Sequence, residues 1–532
     1  MNQALLLVAL FGGVIVSAIV AQRLRIPNPI AFVVIGLAFA LVPGVPAPHL
    51  NPQLLFLVVL PPLLFSGGWS TDWYEFRRNF TSIWLLAVGL VLFTTVVVAI
   101  LAHQFAGFDW ATAFILGAIV SPPDAVAAEA IFERMAVPRR IVAIVTGEGL
   151  VNDGTALVLY RFAVAAAVSG AFSLLHASGA FVFNVIGGIA CGLVIGATIE
   201  LVMYVLGRFK VEDPAVANVV GLLAPYAAYL PADAIGVSGV LSAVTAGIYV
   251  SRRSQTIFSA EGRVIAGAVW RVMILLLNGI VFLQIGLILP NIVRSLSASI
   301  AGYAWFALVV SVAVILVRLA WIFPVARLRR LIPGVAKRDP LPSWKSLLVI
   351  GWSGMRGIVS LAAALALPYR DAAGAPLAGR SEVIFITLCV IVVTLLLHGL
   401  TLGPLIERSG ISETDVRQGQ EMKIRIRALN EGLRYLRSVE STLHTPAELE
   451  AAGRLLGEYE RRITHLQGHL DDDAKDESRE ADDEREADRR LELAALDAER
   501  REIARLRRGG EIPDDIYQTI EYDLDLAGLR LH

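Results

Sequence analysis

Ser121-Pro122-Pro123-Asp124 lies in the middle of an apolar run, 111–132, long enough to cross a bilayer as a helix. Two successive prolines remove two backbone donors and crowd the preceding turn, so this helix is expected to break here. At membrane depth a break is tolerated only where it faces a cavity or packed protein. A second interruption is expected in the run 347–367, at Gly351-Trp352-Ser353-Gly354-Met355-Arg356-Gly357, where three glycines surround one arginine. If the first six and last six of thirteen runs form repeats around the seventh, the two interruptions fall in corresponding spans, the fifth and the twelfth. An offset of seven gives the halves opposite orientation. Paired interruptions in inverted halves point to the binding site of a secondary transporter.

The thirteen runs lie near 5–21, 30–42, 54–69, 83–105, 111–132, 142–168, 180–206, 216–230, 237–250, 269–289, 301–323, 347–367 and 383–406. They are continuous rather than alternating, which excludes a closed β-barrel. The fold class is therefore an all-α polytopic membrane protein of about thirteen transmembrane helices, two of them interrupted, followed by a helical tail. Composition agrees: 56% of residues are hydrophobic, 17% are charged, and 50 of the 93 charged side chains lie beyond residue 410. A soluble enzyme and a disordered scaffold are both excluded. The net charge of −1 offers no basic field for nucleic acid.

Loop charges test the count of spans. One set of alternate loops carries eighteen Lys and Arg, from Arg23 and Arg25 through Arg208, Lys210, Arg329, Arg330, Lys337 and Arg338 to Lys345; the other carries Arg294, Arg370 and Arg380. By the positive-inside rule the N-terminus is outside and the C-terminal region cytoplasmic. The membrane domain covers 1–410 and the charged tail 411–532. In the tail, Thr445-Pro446 reads as a helix start, 471–490 as a solvated charged helix or linker, and Gly509-Gly510 as a helix stop. No nucleotide-binding loop is present. Cys191 and Cys389 sit in apolar runs as packed thiols.

Four ionisable groups lie deep in the spans: Asp124, Glu148, Asp153 and Arg356. Arg161, Glu200, Arg271 and Arg318 lie nearer span ends, where snorkelling suffices. In Gly147-Glu148-Gly149-Leu150-Val151-Asn152-Asp153-Gly154, Glu148 and Asn152 share a helix face and Asp153 looks to one side. Glu148 is expected to pair with Arg356, leaving Asp153 for a mobile cation or proton. The alternative is one structural network of all three charges.

These motifs, with Pro61-Pro62-Leu63-Leu64-Phe65 and Gly354-Met355-Arg356-Gly357, resemble the sodium/proton exchangers of the monovalent cation:proton antiporter-1 family. The resemblance covers spans 1–13. It implies a homodimer in a bacterial inner membrane, with spans 1–3 and 8–10 for dimerisation and spans 4–6 and 11–13 as the transport core. It implies electroneutral exchange of one Na+, or K+ or Li+, for one H+ by alternating access, serving pH homeostasis without a cofactor. Carried over by position, Asp153 is the cation and proton carboxylate, Asn152 its motif partner, and Asp124 lies at the crossing, so Asp153 and Asp124 mark the monovalent-cation site. Ser121, Pro122, Pro123, Gly351, Ser353 and Gly354 belong to the interrupted helices, and Glu148 with Arg356 to a structural pair.

Three positions depart from many members, which have Thr in place of Pro123, Ser in place of Gly149 and Glu in place of Ser66. The departures bear on cation preference. A membrane-embedded aspartyl or zinc protease is disfavoured by the absence of Gly-x-Gly-Asp and His-Glu-x-x-His. A transporter-like sensor that no longer transports remains the alternative from another class. No partner for the tail can be named.

Overall fold

A computed structural model describes residues 3–24, 26–42, 52–135, 137–169, 174–209, 213–296, 300–328, 342–370, 374–411, 414–440, 445–468 and 475–508, with isolated positions between 516 and 528. Arg25, Lys210, Arg329, Arg330, Lys337 and Arg338 of the loop count, residues 471–474 and Gly509-Gly510 lie outside the described residues. The chain divides into two compact units, 1–412 and 413–532.

The first unit is helical because hydrocarbon offers the backbone no hydrogen-bond partner, so each segment must satisfy its own amides. Its helices are α1 Gln3–Leu24, α2 Asn28–Ala40, α3 Pro52–Ser70, α4 Trp73–Arg78, α5 Phe80–Trp84, α6 Val91–Ala106, α7 Trp110–Val120, α8 Ala125–Met135 and α9 Arg139–Ser169. There follow α10 Leu174–Arg208, α11 Pro214–Ala234, α12 Gly239–Arg252, α13 Ser254–Ile257, α14 Ala260–Ser295, α15 Ile300–Leu328, α16 Trp344–Trp352, α17 Ile358–Leu365 and α18 Arg380–Ser409. All thirteen apolar runs fall on helix. Among the described residues eight helices, including the segments 80–106, 139–168 and 261–294, are long and apolar enough to cross a membrane. Both expected breaks are present, at 121–124 between α7 and α8 and at 353–357 between α16 and α17. Gly351, counted with the second interruption, is still helical in the last turn of α16.

Lipid tails are as apolar as leucine, so helices here associate through close packing rather than through escape from water. Two crossings show how. Gly36 of α2 rests on the backbone of Leu283, and Gly286 of α14 on the backbone of Val33 and Leu37. Gly68 of α3 meets the Val244 carbonyl, and Gly247 of α12 the Phe65 carbonyl. A Cβ at any of the four would collide with main chain that cannot move aside.

The second unit contains α19 Thr414–Glu440, α20 Pro446–Gly468 and α21 Lys475–Arg508. The Thr445 start is a reciprocal cap: Glu448 N donates to Thr445 Oγ1 and Thr445 N to Glu448 Oε2. Arg437 of α19 reaches Glu460 of α20 at 2.7 Å, and Tyr459 packs over Gly432. This is a helical hairpin with a charged exterior.

Candidate functional site

The two breaks touch. Asp124 N donates to Met355 O at 2.6 Å, joining the first interruption to the second. The Asp124 carboxylate accepts Val126 N at 2.9 Å, in the first turn of α8, and Ile358 N at 3.3 Å, the first residue of α17. One carboxylate thus caps two half-helix N-termini, where unpaired N–H groups and the helix dipole favour negative charge. Gly357 makes room for it, since a Cβ there would lie on the carboxylate.

Arg356, 2% exposed, faces the opposite ends. Its Nε donates to Val120 O at 2.9 Å and Nη2 to Ser121 O at 3.3 Å, at the C-terminus of α7, while Nη1 donates to Gly354 O. Arg318, 1% exposed, does the same for α16, with Nε on Gly351 O at 3.1 Å and Nη2 on Ile350 O at 3.0 Å. Each half-helix end at the crossing therefore meets a side chain of opposite sign to its dipole.

The expected Glu148–Arg356 pair does not form. Arg318 holds Glu148 instead, Nη2 to Oε2 at 2.8 Å and Nη1 to Oε1. Nor does Arg318 snorkel. It stands ten residues before the end of α15, roughly 15 Å of helix, which is too deep for its head to reach water. The two guanidiniums come up on Gly354 together, and the one facing α9 is that of Arg318. Arg356 serves the Val120 and Ser121 carbonyls, whose helical donors, the N–H groups of residues 124 and 125, lie beyond the break. By contrast Arg161 and Glu200 are partly exposed, as expected, and pair with Asp233 at 2.6 Å and with Tyr249 Oη at 2.6 Å.

On α9, Asn152 is fully buried and its Nδ2 donates to Pro123 O at 3.0 Å, while its Oδ1 has no partner. Asp153 is half-buried and, among the described residues, makes no hydrogen bond or ion pair. It borders a cavity of about 540 Å³, which Asp124, Glu129, Ser66, Asn278 and Ser360 also line. Glu129 accepts the Thr146 hydroxyl there. A second cavity, about 310 Å³, lies beside Tyr160, Arg161, Tyr229 and Asp233.

The structure thus brings Asp124 and Asp153 to one cavity and Asn152 to the break beside it, and it separates Glu148 from the partner expected for it. Arg318 was legible only as a charge inside the run 301–323, which snorkelling explained equally well. Glu129 was legible in the same way, as a charge inside the run 111–132, whereas Asn278 and Ser360 carried no such signal. The position of Gly149 explains one departure: a Cβ there would meet the Ala125 Cβ at 2.6 Å, so a serine does not fit.

Residues 6–408 match the family model described as sodium/hydrogen exchanger, transmembrane. A chain of Mycobacterium tuberculosis described as an uncharacterized Na+/H+ exchanger is 30% identical, over 99% of this chain and 95% of its own. The sodium, potassium, lithium and rubidium/H+ antiporter of Bacillus subtilis is 33% identical, over 72% of this chain and 58% of its own. The fold is also that of the sodium proton antiporter MjNhaP1 from Methanocaldococcus jannaschii, with a TM-score of 0.58 at 16% identity, covering 76% of this chain and 99% of that one. The chain belongs to the sodium/hydrogen exchanger family and is an integral membrane cation/proton antiporter.

Proposed function

We propose that the chain exchanges a monovalent cation, Na+ foremost, for H+ with Asp153 carrying each in turn. One observation supports this above the rest: Asp153 is the carboxylate beside the crossing that has no hydrogen-bond or ion-pair partner among the described residues, and it borders the larger cavity. Asp124 is engaged by two helix N-termini and Glu148 by Arg318. With Asp124 and Glu148 so engaged and Glu129 holding the Thr146 hydroxyl, Asp153 is the carboxylate left to load. One proton or one monovalent cation neutralises it, so the loaded forms carry the same charge and exchange is electroneutral.

The larger cavity also reaches Glu133 and Arg271, toward the arginine-rich loops that the positive-inside rule places in the cytoplasm. The Arg161–Asp233 pair, on the second cavity, ties α9 to α11. This is an inward-facing arrangement, and alternating access would part that pair. The setting is a bacterial plasma membrane and the assembly a homodimer through spans 1–3 and 8–10. A K+-preferring exchanger is the second reading, favoured by the cation list in the Bacillus subtilis relative's name.

The test is dequenching of a pH dye in proteoliposomes on addition of NaCl, KCl or LiCl, with Asp153→Asn as control. A response to one or more salts that the control lacks supports the reading. A protein that binds cations without moving protons would be a sensor instead.

A further inference from the structure

Four hydroxyl side chains line the larger cavity: Ser66, Ser70, Thr146 and Ser360. Ser66 donates to Leu63 O, Ser70 to Gly67 O and Thr146 to Glu129. The Ser360 hydroxyl has no partner, although the residue is only 2% exposed. A buried hydroxyl in a helix ordinarily donates to the carbonyl four residues back, as Ser17, Thr95, Thr155 and Ser311 do here. For Ser360 that carbonyl belongs to Arg356, in the extended segment before α17 begins. The helix break therefore removes the local partner and leaves an oxygen that is costly unless something binds it.

Its surroundings indicate what does. Ser360 lies two residues after Ile358, whose N–H holds Asp124, and it lines the same cavity as Asp153. A hard monovalent cation that sheds water needs neutral oxygens beside its carboxylate. Pro123 and Gly149 offer no side-chain oxygen. We propose that the Ser360 hydroxyl is a ligand of the transported cation and sets its affinity. This rests on Asp153 being the carboxylate that binds the cation.

The experiment is thermal melting of the purified full-length protein against NaCl, LiCl and KCl at constant ionic strength. Ser360→Ala should raise the half-maximal NaCl concentration about three- to tenfold, the worth of one hydrogen-bond-strength contact. Its melting temperature without sodium should equal or exceed the wild type, because an orphan hydroxyl has gone. Ser360→Thr, which keeps the oxygen, should recover most of the affinity and the order of the three salts. An unchanged NaCl midpoint in Ser360→Ala overturns the proposal. So does a shift seen with Asn278→Ala, whose Oδ1 is also unpartnered on this cavity, but not with Ser360→Ala. Asp153→Asn separates the two claims: if it keeps the wild-type sodium response, the carboxylate assignment fails, and Ser360 is judged by its own titration.

Discussion

Glu148 and Arg318, 170 positions apart in the chain, are joined by two parallel N–H···O contacts with both side chains almost completely buried. The same guanidinium ties down the C-terminus of α16, so this pair fastens α9 to the second interrupted helix. Removing one partner of such a pair strands the other charge and typically costs roughly 3–5 kcal/mol. Arg318→Ala and Glu148→Gln should each lower the melting temperature sharply. The double variant should lose clearly less than the two singles together. Arg318→Lys should rescue little, since an ammonium cannot serve the carboxylate and two carbonyls in that fork. Glu148 with Arg356 should show much weaker coupling in the same cycle. Stronger coupling to Arg356 than to Arg318 would contradict the observed pairing.

Asp153→Asn should abolish exchange while the protein stays folded, because no partner is stranded. Proton and cation compete for one carboxylate, so half-saturating sodium should rise as pH falls. The limit is about tenfold per pH unit once Asp153 is mostly protonated. A flat sodium dependence across the acid range, measured by dye dequenching, would show that the two ions do not share a site.

If Asp153 alone loads either ion, exchange is electroneutral, and the stake is measurable: a full charge moved across 100 mV is worth about 2.3 kcal/mol. Sodium uptake driven by a pH gradient should be unaffected by a valinomycin-set potassium potential. Uptake driven by that potential alone would mean that a second group, Asp124 foremost, changes protonation in the cycle. Its two helix N-termini argue against that.

Gly149→Ser should be destabilising by roughly 1–3 kcal/mol, the usual cost of overpacking a tight contact. Its new Cβ would press on Ala125, and Ala125→Gly should relieve it in the double variant. A stable single variant with unchanged melting temperature would show that α8 and α9 separate freely.

Hydropathy, loop charge and backbone chemistry are properties of short stretches of chain, and they determined the helices and the two breaks. They could not determine which arginine meets Glu148, because that depends on how α15, α16 and α9 pack, and Arg318 looked like a residue near a span end. The prolines make the same point. Pro61-Pro62 and Pro122-Pro123 are the same dipeptide, yet α3 runs on through the first while the second divides α7 from α8. Local chemistry only weakens the helix at each. The break opens where tertiary partners take the freed backbone groups: Arg356 on Val120 and Ser121, Asn152 on Pro123, and Met355 O on the Asp124 N–H.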